Sequence, residues 1–181
     1  LGLVLLGALA GALLAWRLGG PPVWTAVGVG WVGLPVLAVL WLRALPELGL
    51  AALLWLLVVV WSTDTAAYVV GRSLGGPRLA PTISPGKTWE GVIGGLILVA
   101  ALAIGVGIWR DLNIAVFLPF VLAVAALSVV GDLTVSMFKR TAGLKDSGRL
   151  FPGHGGVLDR VDSVAAAAPV FALGMGWTGL A

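Results

Sequence analysis

NIAVFLPFVLAVAALSVVGDLTVSMFKR, residues 113–140, carries the decision about the fold. No charged side chain lies between Asp111 and Asp132. A bilayer's hydrocarbon core is crossed by about 20 mostly apolar residues in one helix. We therefore read residues 113–138 as a membrane span that ends in a carboxylate, a hydroxyl and two cations. Five further apolar segments, roughly 1–18, 23–42, 48–71, 90–109 and 157–180, bring the expectation to about six transmembrane helices. The breaks fall at Gly19-Gly20-Pro21-Pro22, Pro46, Gly75-Gly76-Pro77 and Pro152-Gly153. The expected fold is all-α, a polytopic integral membrane protein.

Composition agrees. Of 181 residues, 60% are hydrophobic and 10% charged, with a mean hydropathy of +1.08. Soluble domains are near half apolar and a quarter charged. The absence of cysteine excludes disulfides, thiolate metal sites and cysteine nucleophiles, and a single histidine excludes a multi-histidine zinc site within one chain. Nine tryptophans suit a protein with two membrane interfaces. The chain opens at Leu1 inside an apolar run, with no basic n-region of a signal peptide, and reads as lacking one or more N-terminal helices.

The cations are unevenly placed. With six spans, one side receives Arg17, Arg72, Arg78, Lys87, Lys139, Arg140, Lys145, Arg149 and Arg160, and the other only Arg43 and Arg110. The positive-inside rule puts the rich side in the cytoplasm. That bias alone reports topology, but the same loops also hold nearly all the motif-like residues.

Four aspartates, Asp64, Asp132, Asp159 and Asp162, sit in or at the ends of apolar spans, toward the rich side. A carboxylate there usually faces a partner or a wet cavity. Asp132 and Ser136 are four apart and share a helix face, which Lys139 and Arg140 continue. Asp159 and Asp162, three apart, share another face, as do Asp64 and Tyr68, four apart. Acid and base together suit a divalent cation with phosphates: magnesium takes one or two carboxylates plus substrate phosphate oxygens. Intramembrane salt bridging, Asp159 with Arg160 or Asp162 with Lys139, is the plainer reading of any one of them.

Two glycine-rich loops adjoin these faces. SPGKTWEG, residues 84–91, resembles the end of a phosphate-binding P-loop, but Pro81 stands where its first glycine belongs and no strand is expected before it. What survives is a proline-bent loop that delivers Lys87 to a helix beginning near Trp89, with Glu90 as a first-turn charge and Trp89 as an interface anchor. The second loop, KDSGRLFPGHGGVLDRVDS from Lys145 to Ser163, frees its backbone at Gly153, Gly155 and Gly156 to approach anionic oxygens. A lone histidine is usually structural. His154, flanked by glycines, we read as phosphate-contacting or metal-adjacent.

The segment SMFKRTAGLKDSGRLFPGHGGVLDRVD, Ser136 to Asp162, resembles the full signature of the phosphatidate cytidylyltransferases, also called CDP-diacylglycerol synthases. DTAAYVVGR (Asp64–Arg72) and ISPGKTWEGVIGG (Ile83–Gly95) are similar to the same family. The resemblance implies transfer of the cytidylyl group of CTP to phosphatidic acid, giving CDP-diacylglycerol and pyrophosphate. It implies Mg2+ on Asp132 and Asp159, a second cation such as K+, Ser136 beside the metals and Lys139 in the catalytic set. Lys87, Arg140, Lys145, Arg149, His154, Asp162 and Asp64 become candidate substrate-binding residues. It also implies a homodimer in the cell membrane with its polar cavity open to the cytoplasm, and no nucleic acid partner. On this reading residues 1–181 form one transmembrane catalytic domain, with scaffold helices in 1–60 and the active-site region in 61–163. Two competitors remain. A CTP-dependent lipid-alcohol kinase would pass on the γ-phosphate instead, and an ion-coupled transporter would use its acids at the midplane. A CDP-alcohol phosphotransferase is disfavoured, because its DGxxAR motif is missing.

Overall fold

Helices form where the apolar segments lie. They are α1 (Gly2–Arg17), α2 (Pro22–Arg43), α3 (Gly49–Leu74), α4 (Trp89–Trp109), α5 (Ile114–Thr141) and α6 (Leu158–Trp177). The structure, a computed structural model, describes residues 1–144 and 158–177, with backbone alone for 158–160 and 177. Pro22 at the first position of α2, the Thr88 hydroxyl accepting from Gly91 N–H at α4 and the Asn113 carboxamide accepting from Ala115 N–H at α5 fix three of the starts.

The all-α expectation stands, and the span count needs adjusting. Among the described residues, α2, α3, α4 and α5 are long and apolar enough to cross a membrane. α1 has 16 residues, and the apolar part of α6 is Val161–Gly176. α6 spends its first turn on charged residues, so less of its length is apolar.

The sequence reading allowed only a loop between α3 and α4. The structure has a two-stranded antiparallel hairpin there, β1 (Arg78–Ala80) and β2 (Ser84–Thr88). Pro85 and Gly86 within β2 are poor strand formers, which hid it. The turn closes by Ile83 N–H donating to Ala80 C=O, and the base by Trp89 N–H donating to Pro77 C=O. A strand thus does precede a helix here. It contains the Gly86-Lys87-Thr88 run instead of leading into it, so the P-loop remains rejected.

The core sits between α3, α4, α5 and α6, around Leu56, Val60, Val99, Val121, Val124 and Phe171, with α2 adding Leu42. The outward faces carry bare leucine, valine, isoleucine and tryptophan, as lipid-facing surfaces do. α1 buries nothing and packs chiefly on α2.

Glycines set the helix spacing. Gly91 and Gly95, one turn apart on α4, lie against the backbone of α3. A Cβ would come within 2.5 Å of Ala67 O and 2.8 Å of Thr63 O. In lipid, helices associate through such small-residue contacts, because apolar surface gains little by leaving a lipid solvent. Gly131 does the same between α5 and α6, where a Cβ would lie 2.6 Å from Ala166 Cβ and 2.9 Å from Asp162 O. These contacts decide which side chains meet next to them.

Candidate active site

Asp64 lies on α3 ten residues before its end at Leu74, and Asp132 on α5 nine before Thr141. At 1.5 Å per residue these are about 15 and 14 Å from the helix ends. Asp162, in the second turn of α6, sits beside Asp132, brought there by the Gly131 contact. Asp64 and Asp132 therefore lie well inside their helices, and Asp162, near the start of α6, meets them there.

Lys87 descends on them from β2. Its ammonium forms an ion pair with Asp132 Oδ2, the side chains being 20% and 23% exposed. An ammonium has three donors, and no second partner meets it among the described residues, which leaves protons for another oxygen. Asp64, Lys87, Asp132, Asp162 and Ser163 line one cavity of about 400 Å³ together with Tyr68, Gly86 and Thr88.

Each acid is engaged differently. The Ser163 hydroxyl hydrogen-bonds the Asp64 carboxylate, tying α6 to α3. Asp162 is buried, accepts from Ser163 N–H at 2.8 Å through Oδ1, and contacts the Asp132 carboxylate. Two touching carboxylates repel each other when charged, and a shared cation relieves that repulsion. Lys87 supplies one positive charge. The donor set is otherwise hard oxygen, which suits a divalent cation of the magnesium type. Among the described residues no three acidic or histidine side chains gather around a single point.

The sequence candidates fall into three groups. Lys87, Asp64, Asp132 and Asp162 converge. Ser136, Lys139 and Arg140 continue the Asp132 face of α5 outside that cavity. Lys139 lies near enough for its charge to act on Asp162. Arg140 Nε donates to Ile83 C=O at 3.4 Å, fastening the end of α5 to the hairpin turn. Asp159 stands in the first turn of α6, with its side chain outside the description, and Lys145, Arg149 and His154 lie outside the described residues. Lys87–Asp132 is an ion pair that the sequence reading did not consider; of the two it did, Asp159–Arg160 lies outside the described side chains, and Lys139 acts on Asp162 through its charge. Sequence reasoning missed Ser163 and Thr88. Ser163 follows Asp162 directly, but only the α3–α6 contact reveals its partner.

Fold and site together define a class: helical membrane proteins with a charged pocket recessed among their spans. The family model described as the cytidylyltransferase family matches residues 4–177. A phosphatidate cytidylyltransferase of Haemophilus influenzae is 52% identical over 132 residues, 70% of this chain and 46% of that protein. One from Brucella suis is 47% identical over 157 residues, covering 83% and 56%, and one from Pseudomonas aeruginosa 49% over 119 residues, covering 64% and 44%. The chain belongs to the cytidylyltransferase family, and it spans about half the length of the curated relatives it matches.

Proposed function

We propose that the protein to which this chain belongs transfers the cytidylyl group of CTP to phosphatidic acid. One observation carries the reading: three acids from three helices and a hairpin lysine meet in one recessed cavity. The names of its relatives support the same reaction. A phosphatidate oxygen attacks the α-phosphorus of CTP, forming a P–O bond. The bond from that phosphorus to the bridging β-phosphate oxygen breaks, and pyrophosphate leaves. The lipid phosphate is already ionised near neutral pH, so no strong general base is needed.

Lys87 would hold a nucleotide phosphate oxygen while staying close to Asp132. Asp132 and Asp162, with Asp159 from the same helix as Asp162, would hold Mg2+, which when bound neutralises charge on the phosphate oxygens. K+ as a second cation is part of the same proposal. Asp64, kept in place by Ser163, faces the cavity from the third side. Ser136 lies one turn beyond Asp132, and Lys139 and Arg140 carry positive charge toward the end of α5. Beside them an apolar groove of about 600 Å³ runs between α2 and α5, lined by Trp24, Val27, Trp31, Met137 and Phe138. An apolar groove next to cations suits the acyl chains of an anionic lipid.

The reading includes a homodimer in the cell membrane with the cavity toward the cytoplasm. The orientation is supported by the gathering of Arg72, Arg78, Lys87, Lys139 and Arg140 at one end of the bundle, and the homodimer rests on the family resemblance alone. The test uses the full-length protein in detergent with phosphatidic acid, Mg2+ and CTP labelled at the α or γ position. The α-label should enter lipid and the γ-label pyrophosphate, with both lost in Asp132→Asn. Entry of γ-label into lipid would instead identify a kinase.

A further inference from the structure

A second cavity, of about 430 Å³, adjoins the acidic one and shares Tyr68, Gly86 and Thr88 with it. Its chemistry is opposite. Its charged lining residues are Arg72 and Arg78, and glycines 71, 75, 76 and 86 leave much of the rest as bare backbone. Arg72 stands at the end of α3, and the register of the hairpin sets Arg78 opposite Thr88. Neither arginine forms an ion pair among the described residues. Arg72 Nη1 donates to the Tyr68 hydroxyl at 3.2 Å, which holds the guanidinium at the shared lining. Glu90 is the carboxylate against this wall, packed over Gly76, and the two guanidiniums outnumber it.

We propose that Arg72 and Arg78 form an anion subsite that takes the β- and γ-phosphates of the nucleotide and then holds the departing pyrophosphate. The inference rests on the proposed cytidylyl transfer and adds residues to it. An α-phosphate in the acidic cavity must be followed by two more phosphates. The opening past Gly86 leads to a pair of planar, permanently charged donors, the side chains best matched to phosphate oxygens. A Cβ at Gly86 would meet nothing within 4 Å, so this residue shared by the two cavities tolerates a side chain. Separating the acids from the arginines also separates the cation-binding and anion-binding halves of one substrate complex.

The test compares the full-length wild type with Arg72→Ala, Arg78→Ala, Arg72→Lys, Tyr68→Phe and Gly86→Val. For each, the KM for CTP, the KM for phosphatidate and the inhibition constant of pyrophosphate are measured. Each arginine-to-alanine change should raise both the CTP KM and the pyrophosphate constant roughly ten- to a hundredfold, the loss of one charge-assisted phosphate contact. The phosphatidate KM should stay unchanged. Gly86→Val should act in the same direction by narrowing the passage, and Arg72→Lys should recover part of the loss. Tyr68→Phe keeps both charges and should have the smallest effect. An unchanged pyrophosphate constant in both alanine variants would overturn the subsite. A rise in the phosphatidate KM alone would assign the arginines to a lipid headgroup and overturn it too. Calorimetric titration with pyrophosphate reads the same pocket without turnover. A wild type that binds pyrophosphate through these arginines but transfers no cytidylyl group would sink the proposed reaction and leave the subsite standing.

Discussion

Replacing Gly131 by alanine tests whether close helix approach creates the acid pair. The added Cβ would sit 2.6 Å from Ala166 Cβ, whereas ordinary contact begins near 3.4 Å, so α5 and α6 must part by about 0.8 Å. Neither neighbour can swing aside, because one is a Cβ fixed by its backbone and the other, Asp162 O at 2.9 Å, is backbone itself. Overpacking of this kind costs about 1–3 kcal/mol, and exchanging glycine for alanine within a helix returns about 0.5–1 kcal/mol. The net loss should be about 0–2.5 kcal/mol. Activity should suffer more. Asp132 adjoins Gly131, and Asp162 supplies the clashing carbonyl, so the separation falls on the two carboxylates. A shift near 1 Å at a reacting centre costs on the order of a hundredfold in rate. Gly105→Ala is the control: nothing lies within 4 Å of its Cβ, so only the helix gain should remain. Denaturant titration of the purified full-length protein gives the stabilities, and initial rates of cytidylyl transfer give the activities. Adding Ala166→Gly to Gly131→Ala should restore part of both. If Gly131→Ala behaved like Gly105→Ala in stability and kept the parental rate, the close approach would not be what aligns the acids.

Other outcomes follow from the same geometry. Lys87→Met should lower stability by about 1–3 kcal/mol, between the cost of breaking a surface pair and a buried one, because it strands Asp132. Combining it with Asp132→Asn should recover that stability in the same denaturant titration while leaving transfer abolished. Asp162→Asn removes a carboxylate pressed against Asp132, so it should leave the unfolding midpoint equal or higher while transfer falls at least a hundredfold. Chelating divalent cations should abolish transfer, with activity returning on added Mg2+ and the midpoint changing little. Phe138→Ala opens the α2–α5 groove where Trp24 and Trp31 meet Phe138 edge-on, at 5.9 and 6.2 Å. It should raise the KM for phosphatidate and leave that for CTP alone.

The spans were legible because each signal is local. An uncharged run of about twenty residues says where a helix lies, whatever it packs against. The aspartate spacings were legible for the same reason: residues three or four apart share a face in any helix. What the spacing lacks is direction. It tells that Asp132 and Ser136 look the same way, and that Asp159 and Asp162 do, but not that α5 looks at α6. Direction is written in the small residues, in a form that hydropathy cannot see. Gly91 and Gly95 place the face of α4 on α3 beside Thr63 and Ala67, and Gly131 meets Ala166. Asp64, Asp132 and Asp162 are each within four residues of one of these contacts. The Lys87–Asp132 pair was less accessible still, because the strand that delivers Lys87 carries a proline and a glycine that speak against a strand. Its support comes from outside the hairpin, in the α3 and α4 surfaces it rests on and the Arg140 bond to Ile83. A membrane sequence thus announces its candidate site residues through their charge and hides their meeting point in its glycines. The glycines beside a charged residue are therefore where a search for such a site should begin.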